Sequence, residues 1–395
     1  MGRLLSLFPM PDDFSFFDTP VDRAGTGSFK WSRYAGRDVL PMWVADMDFK
    51  SPEPIIAALH RRVDHGVFGY STAHDGVADA VCEHLARVHG VTIDPSWIVW
   101  MPGMVVGLAM CGCLAGEPGD EIMTFTPVYP PFLKVHKDAG RQLITVPLAE
   151  EGGRHTFDFA AMEKAVTPRT RLVMLCSPHN PVGRVWTRAE LDELAGFCVR
   201  HDLLLVSDEI HCDLLLEPEI APHTPALKLD GDIRSRAITL MAASKTYNIP
   251  GLGLCFAIIP NETLRRRFVL TKNTYVAEIS PLSFHATQAA FSECEDWRQS
   301  LCRYLRGNRD YIAAFLAEHS PAVKMPHIEA TYLAWLDVRA LNLPQPVAHF
   351  ESHGLALSNG ADFGAPGFVR LNFGCPRSTL EEGLRRFSAA ILASS

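Results

Sequence analysis

The sequence predicts an α/β protein in which a mostly parallel sheet is covered by helices on both faces. Three features point to it. Short, continuously apolar runs alternate with helical patterns, as strands buried on both sides require. Gly, Pro and polar residues punctuate the runs. At 395 residues the chain exceeds the usual size of one domain and is long enough to bury a large core.

In chain order, "SPEPIIAALHRRVDHG" opens at Ser51, carries Pro near its first turn and closes on Gly66, so it reads as a helix. "GVADAVCEHLARVHG" from Gly76 repeats the pattern, and "MPGMVVGLAMCGCLAGEPGD" is an apolar helix beginning just after Pro102-Gly103. "EIMTFTPVY" and "TRLVMLCSP" are strands. "TRAELDELAGFCVRHD" is a helix whose Thr187 and Glu190 have capping-box spacing. "LLLVSDEI" and "AITLMAAS" are further strands. From about Phe284 the pattern turns mostly helical, with "TYLAWLDV" and "GFVRLNFG" as strand candidates and "STLEEGLRRFSAAILA" as a closing helix. That part reads as a smaller α+β domain. No Ser/Gly-rich linker precedes it, so a long helix is expected to join the two. The expected division is 49–285 for the large domain, with 1–48 and 286–395 forming the small one.

Composition narrows the function. With 47% hydrophobic and 21% charged residues the chain is ordinary for a soluble globular protein. A net charge of −8 argues against nucleic acid or an anionic membrane as partner, since both select basic surface. No apolar run reaches the ~20 residues of a membrane span. "MGRLLSLFPMPDDF" is broken early by Pro and Asp and does not read as a signal peptide; "MGRLLS" has only a superficial fit to a myristoylation pattern. The ten cysteines contain no CxxC pair, and most sit in apolar surroundings, which suits reduced thiols in the cytoplasm. The sixteen histidines show no HExxH or Cys/His spacing, so no metal is expected.

Polar residues stand at the ends of the predicted strands: Tyr129 in "FTPVYPP", Asn180 in "LCSPHNPVGR", Asp208 in "VSDEIH", and Ser244-Lys245 after "AITLMAA". Parallel strands bring all of them to one sheet edge, where α/β proteins bind ligands. Taken singly, an Asp and a Lys could be a buried ion pair, Asn180-Pro181 a turn, and Tyr129 a packing residue. Together they form a chemical constellation.

That constellation resembles the fold type I pyridoxal-phosphate (PLP) enzymes, the aspartate aminotransferase superfamily. The strongest motifs are "NPVGR" and "SDEIH". "LPMWVADMDFK", "FGYS", "PHNPVGRVWT", "SDEIHCDL", "SKTYNIPGL", "TYLAWLDV" and "FVRLNFGCPRSTLEE" resemble in particular the MalY/PatB-type C–S lyases, or cystathionine β-lyases, over nearly the whole chain from Met42. The resemblance implies a mostly parallel seven-stranded sheet and PLP as cofactor.

It also implies roles. Lys245 matches the lysine that holds the aldehyde cofactor covalently and then acts as base at Cα. Asp208 matches the partner of the pyridine nitrogen, and Asn180 the donor to the ring's phenolic oxygen that also approaches the substrate carboxylate. Tyr129 matches the aromatic residue stacked on the ring. Gly103, Met104 and Val105 match the helix start whose amides hold the phosphate, with Ser244 a further donor. Tyr70 matches a tyrosine that reaches the neighbouring subunit's phosphate, which implies a homodimer with shared active sites. Arg370 matches the arginine that grips the α-carboxylate, and Trp43 lies in the segment lining the substrate entrance.

Two positions depart from the aminotransferase pattern. Gly253 stands where many have a phosphate-binding Arg, and His211 where many have a Tyr facing the phenolic oxygen. Both suit the lyase branch. His211 has two readings, a residue that tunes the ring or a packed core histidine. The implied reaction is β-elimination from cystathionine, cystine or another cysteine S-conjugate, giving pyruvate, ammonia and a thiol. An aminotransferase on the same scaffold is the first alternative. A regulatory protein that binds a transcription activator is the second.

Overall fold

A computed structural model describes residues 14–393 of the chain. The stretch weighed above for a signal peptide and for lipidation lies, up to Asp13, outside the described residues. A seven-stranded sheet is built from β1 (Ile98–Met101), β2 (Glu121–Thr126), β3 (Gln142–Pro147), β4 (Thr170–Cys176), β5 (Leu204–Asp208), β6 (Ala237–Met241) and β7 (Cys255–Ile258). Their spatial order is β1-β7-β6-β5-β4-β2-β3. Only β7 runs against its neighbours, pairing antiparallel with β1 and β6. The remaining pairs are parallel.

The central strands are mostly apolar because helices cover both faces. Leu205 and Val206, adjacent on β5, point to opposite sides, as the two-residue period of a strand requires. Val206 packs with Leu108 and Cys111 of the helix Met104–Leu114. Leu205 packs with Phe125 and with Leu194 and Phe197 of the helix Arg188–Arg200. That second helix starts on the expected capping box: the Thr187 hydroxyl accepts from the Glu190 amide, and the Glu190 carboxylate accepts from the Thr187 amide.

Strands β1, β3 and β7 add to those read from the sequence. β3 is an edge strand, half exposed, and lacks a continuous apolar run. β1 and β7 have only four residues each, pressed against turns. The helix read from Gly76 runs Asp75–His84 and then widens: Leu85–His89 is a π-helical turn closed by Gly90 at φ +60°. This turn lets His84 and His89 both reach Asp213, with Nε2 atoms 3.0 and 2.8 Å from its two carboxylate oxygens.

A second, three-stranded antiparallel sheet contains β8 (Leu333–Asp337), β9 (Ser358–Asn359) and β10 (Phe368–Asn372), in the order β8-β10-β9. One continuous core joins it to the 25-residue helix Glu295–His319, the closing helix Arg377–Leu392 and the N-terminal segment, through Met42, Met47, Phe49, Leu305, Leu371 and Phe387. Leu40–Pro41 also pairs in parallel with Leu355–Ala356. Among the described residues no helix is long and apolar enough to cross a membrane.

Candidate active site

The parallel topology brings the strand ends together. β5 ends at Asp208, in register with Cys176 at the end of β4 and Leu240 on β6. Lys245 follows β6, Asn180 follows β4, Tyr129 follows β2, and Gly103 follows β1. A cleft of about 150 Å³ lies over this edge. It is lined by Gly103, Met104, Val105, Tyr129, Asn180, Asp208, His211, Ser244 and Lys245, all nine expected there, together with Gly253.

Asp208 is buried, and its Oδ1 accepts from the Ile210 amide at 3.1 Å. Burial, reinforced by Glu209, pushes its carboxyl up to about 7. Among the described residues no cation makes an ion pair with it, so the carboxylate wants a positive partner. Burial and then the charge of Arg370 lower the Lys245 amine to about 8, against the pull of Asp46 and Asp208. Its Nζ donates to the Ala45 carbonyl at 2.7 Å. Burial also lowers His211 to about 3, so it is neutral, and its Nδ1 is buried with no protein partner. Burial raises the Tyr129 hydroxyl.

Arg370 sits on β10, buried, with its guanidinium 4.7 Å from the Phe363 ring centroid. It donates from Nη1 to Asn180 Oδ1 at 3.0 Å and from Nη2 to the Trp43 carbonyl at 3.0 Å, while Nε has no protein partner. Trp43 therefore meets the site through its backbone. Its ring packs at a tilt against Phe29, with the Arg33 guanidinium 4.8 Å from its centroid. Tyr70 is not among the residues lining the cleft and is 99% exposed.

The residues fit PLP. Gly103, at φ +134°, precedes an 11-residue helix whose first turn has no side-chain cap, which leaves its amides for an anion. The buried, unpaired Asp208 suits a protonated pyridine nitrogen, and Lys245 an aldehyde. Gly253 adopts φ +54°, and a Cβ there would lie 3.4 Å from the Pro102 carbonyl oxygen. That left-handed turn favours glycine over the arginine many aminotransferases carry. The sequence did not single out Ala45, Asp46, Cys176, Tyr332 or Asn372, which line or brace the site. Their residue types carry no signal until the fold folds Trp43–Met47 back across the sheet edge.

Comparison with known proteins places the chain in a family. The model of the aminotransferase class I and II family matches residues 37–387. Cystathionine beta-lyase PatB of Bacillus subtilis (strain 168) is 39% identical over 386 residues, covering 95% of this chain and 99% of PatB. The crystal structure of OvoB superposes with a TM-score of 0.92 at 42% identity, covering 95% of this chain and 98% of that one. Cystalysin from Treponema denticola, whose structure contains pyridoxal 5'-phosphate, gives a TM-score of 0.91 at 32% identity, covering 96% and 99%. This chain belongs to the class I and II aminotransferase family of PLP-dependent enzymes.

Proposed function

We propose that this protein is a PLP-dependent C–S β-lyase, cleaving cystathionine, cystine or a related cysteine S-conjugate to pyruvate, ammonia and a thiol. The observation that carries the reading is the cleft that sets the Lys245 amine, the unpaired Asp208 carboxylate and the Arg370–Asn180 pair around one space, in a chain matched over 95% of its length by a cystathionine beta-lyase.

Each residue has a task. Lys245, with its amine lowered to about 8, is a base matched to neutral pH and takes the proton from the substrate Cα. Bound PLP supplies an electron sink for the pair left at Cα. Asp208 holds the pyridine nitrogen protonated. The first amides of the helix Met104–Leu114, with Ser244, hold the phosphate. Tyr129 would offer its ring as a flat wall to the bound cofactor, and His211 would offer it a buried nitrogen that has no protein partner. Arg370 and Asn180 hold the substrate α-carboxylate, which fixes the Cα–H and Cβ–S bonds against the ring plane.

The protein acts as a homodimer, in which Tyr70 reaches the neighbouring subunit's phosphate. Its exposure, beside Val67 at 61% and Phe68 at 57%, supports this, since exposed apolar clusters mark interfaces. The large domain is 49–285, and the core shared by the N-terminal segment and β8–β10 supports 1–48 with 286–395 as the small one. Ten cysteines outside any disulfide, eight of them buried, suit the cytoplasm. Incubation with L-cystathionine or L-cystine tests the activity. Pyruvate and sulfur product in equal amounts support it, and an unconsumed substrate across a panel of cysteine conjugates rejects it.

A further inference from the structure

Five successive backbone carbonyls, from Trp43 to Met47, accept hydrogen bonds from side chains. Trp43 is held by Arg370 and by Ser358 at 2.7 Å; Val44 and Asp46 are both held by Asn372 Nδ2; Met47 is held by Asn248 Nδ2 at 2.9 Å. The central carbonyl, Ala45, takes two donors: Lys245 Nζ at 2.7 Å and the Tyr332 hydroxyl at 2.9 Å. Of these donors, Lys245 alone is consumed by the proposed chemistry. With the cofactor bound, its nitrogen would be tied up at rest and would be a free amine only while substrate is held.

We propose that the Ala45 carbonyl is the perch for the free amine of Lys245 during turnover, and that Tyr332 is the positioning residue that holds this carbonyl in place. The inference rests on the reading of Lys245 as the cofactor-bearing base. A neutral amine has two N–H bonds and one lone pair. Giving one N–H to Ala45 restricts rotation about the last side-chain bond, so the lone pair keeps one orientation within the cleft that Ala45 lines. Without a perch, a flexible four-carbon chain would sample many rotamers between releasing the cofactor and meeting Cα.

Tyr332 is built to be fixed. It is 1% exposed and follows Thr331, a β-branched residue at φ +76°. Such a backbone is strained and persists only where the surroundings over-determine it. Here the Thr331 amide donates to the Leu214 carbonyl at 2.9 Å and the Phe373 amide to the Tyr332 carbonyl at 2.8 Å. Leu214 belongs to the loop that follows Asp208 and carries His211, so the hydroxyl is referenced to the cofactor side of the cleft. Burial raises the Tyr332 hydroxyl well above its ordinary value. It keeps its proton against a departing thiolate and serves as a donor, not an acid.

Tyr332→Phe removes the hydroxyl and keeps the ring. Exchange of the Cα proton of L-alanine into D2O reads the step at Lys245 without any leaving group. Its outcome is therefore independent of whether the enzyme is a lyase or a transaminase. Exchange should slow about tenfold at saturation with an unchanged half-saturating concentration, and thermal stability should hold. The charged groups facing Lys245 are Arg370, Asp46 and Asp208. With Tyr332's donor gone, Ala45 accepts more strongly from the charged amine, so the acidic limb of the exchange rate should move up by about half a pH unit. The same upward move should be seen in the pH midpoint of Lys245 labelling by trinitrobenzenesulfonate in the cofactor-free protein. Wild-type exchange, slowing without either pH displacement, or a loss that tracks the unfolded fraction would each overturn the proposal.

Discussion

Arg370 donates to Asn180 at 3.0 Å across 190 residues of sequence. The contact ties the loop after β4 to strand β10, and under the proposed function it preassembles the site for the substrate carboxylate. Arg370→Lys keeps a charge but loses the planar fork. The KM for a cysteine conjugate should rise about tenfold to a hundredfold, the loss of roughly 1.4–3 kcal/mol expected for a charge-assisted bond. Turnover of the matching cysteamine conjugate, which has no carboxylate, should be equal in both enzymes. Equal loss on both substrates would show that Arg370 only supports the fold.

Asp208→Asn should retain PLP yet lose turnover by about a hundredfold to a thousandfold, because the charge matters most where negative charge develops. Absorbance of the bound cofactor and single-turnover rates check this. A variant with near-normal kcat would make Asp208 structural.

The buried amine has a consequence for stability. The folded value of Lys245, about 8, lies below its ordinary 10.5. Below pH 8 the amine is charged in both folded and unfolded chains, and burial penalises that charge. Between 8 and 10.5 the unfolded chain binds more protons, so this group makes the cofactor-free protein more stable as pH rises. Lys245→Met should therefore stabilise the cofactor-free protein at pH 7 by up to about 3 kcal/mol. Asp208, raised from 3.8 to about 7, works in the other direction: its contribution is present at acid pH and is lost as pH rises through 7. Denaturant titrations at several pH values read both effects. A destabilised Lys245→Met variant would contradict the burial argument.

The sequence made much of this site legible because the chemistry stands at strand ends. Asp208, Asn180, Tyr129 and Lys245 each follow an apolar run, and a parallel sheet brings such ends to one edge. Ala45 and Tyr332 were not legible. The Ala45 carbonyl is backbone, and Tyr332 sits in "TYLAWLDV", read as a strand and as a family motif with no role for the tyrosine. Its role depends on a contact 287 residues away in sequence. The π-helical turn at Leu85–His89 was hidden too, since its i+5 spacing merges into an ordinary helical pattern.

If Tyr70 serves the neighbouring subunit, inactive Tyr70→Phe and inactive Lys245→Ala proteins should regain activity when their subunits exchange. Hybrid dimers hold one intact site of two, so recovery should approach about a quarter of wild type in a random mixture, in which half the dimers are hybrids. Sedimentation as a monomer, or no recovery after exchange, would contradict shared sites.

The fate of the substrate's amino nitrogen tests the central claim most directly. L-cystathionine labelled with 15N at the amino group of its cysteine-derived half would be incubated with enzyme and PLP, with and without 2-oxoglutarate. The predicted result is free 15N-ammonium and pyruvate at the same rate in both mixtures, with no label in glutamate. Product that forms only with 2-oxoglutarate, with the label in glutamate, would contradict elimination and make the enzyme a transaminase.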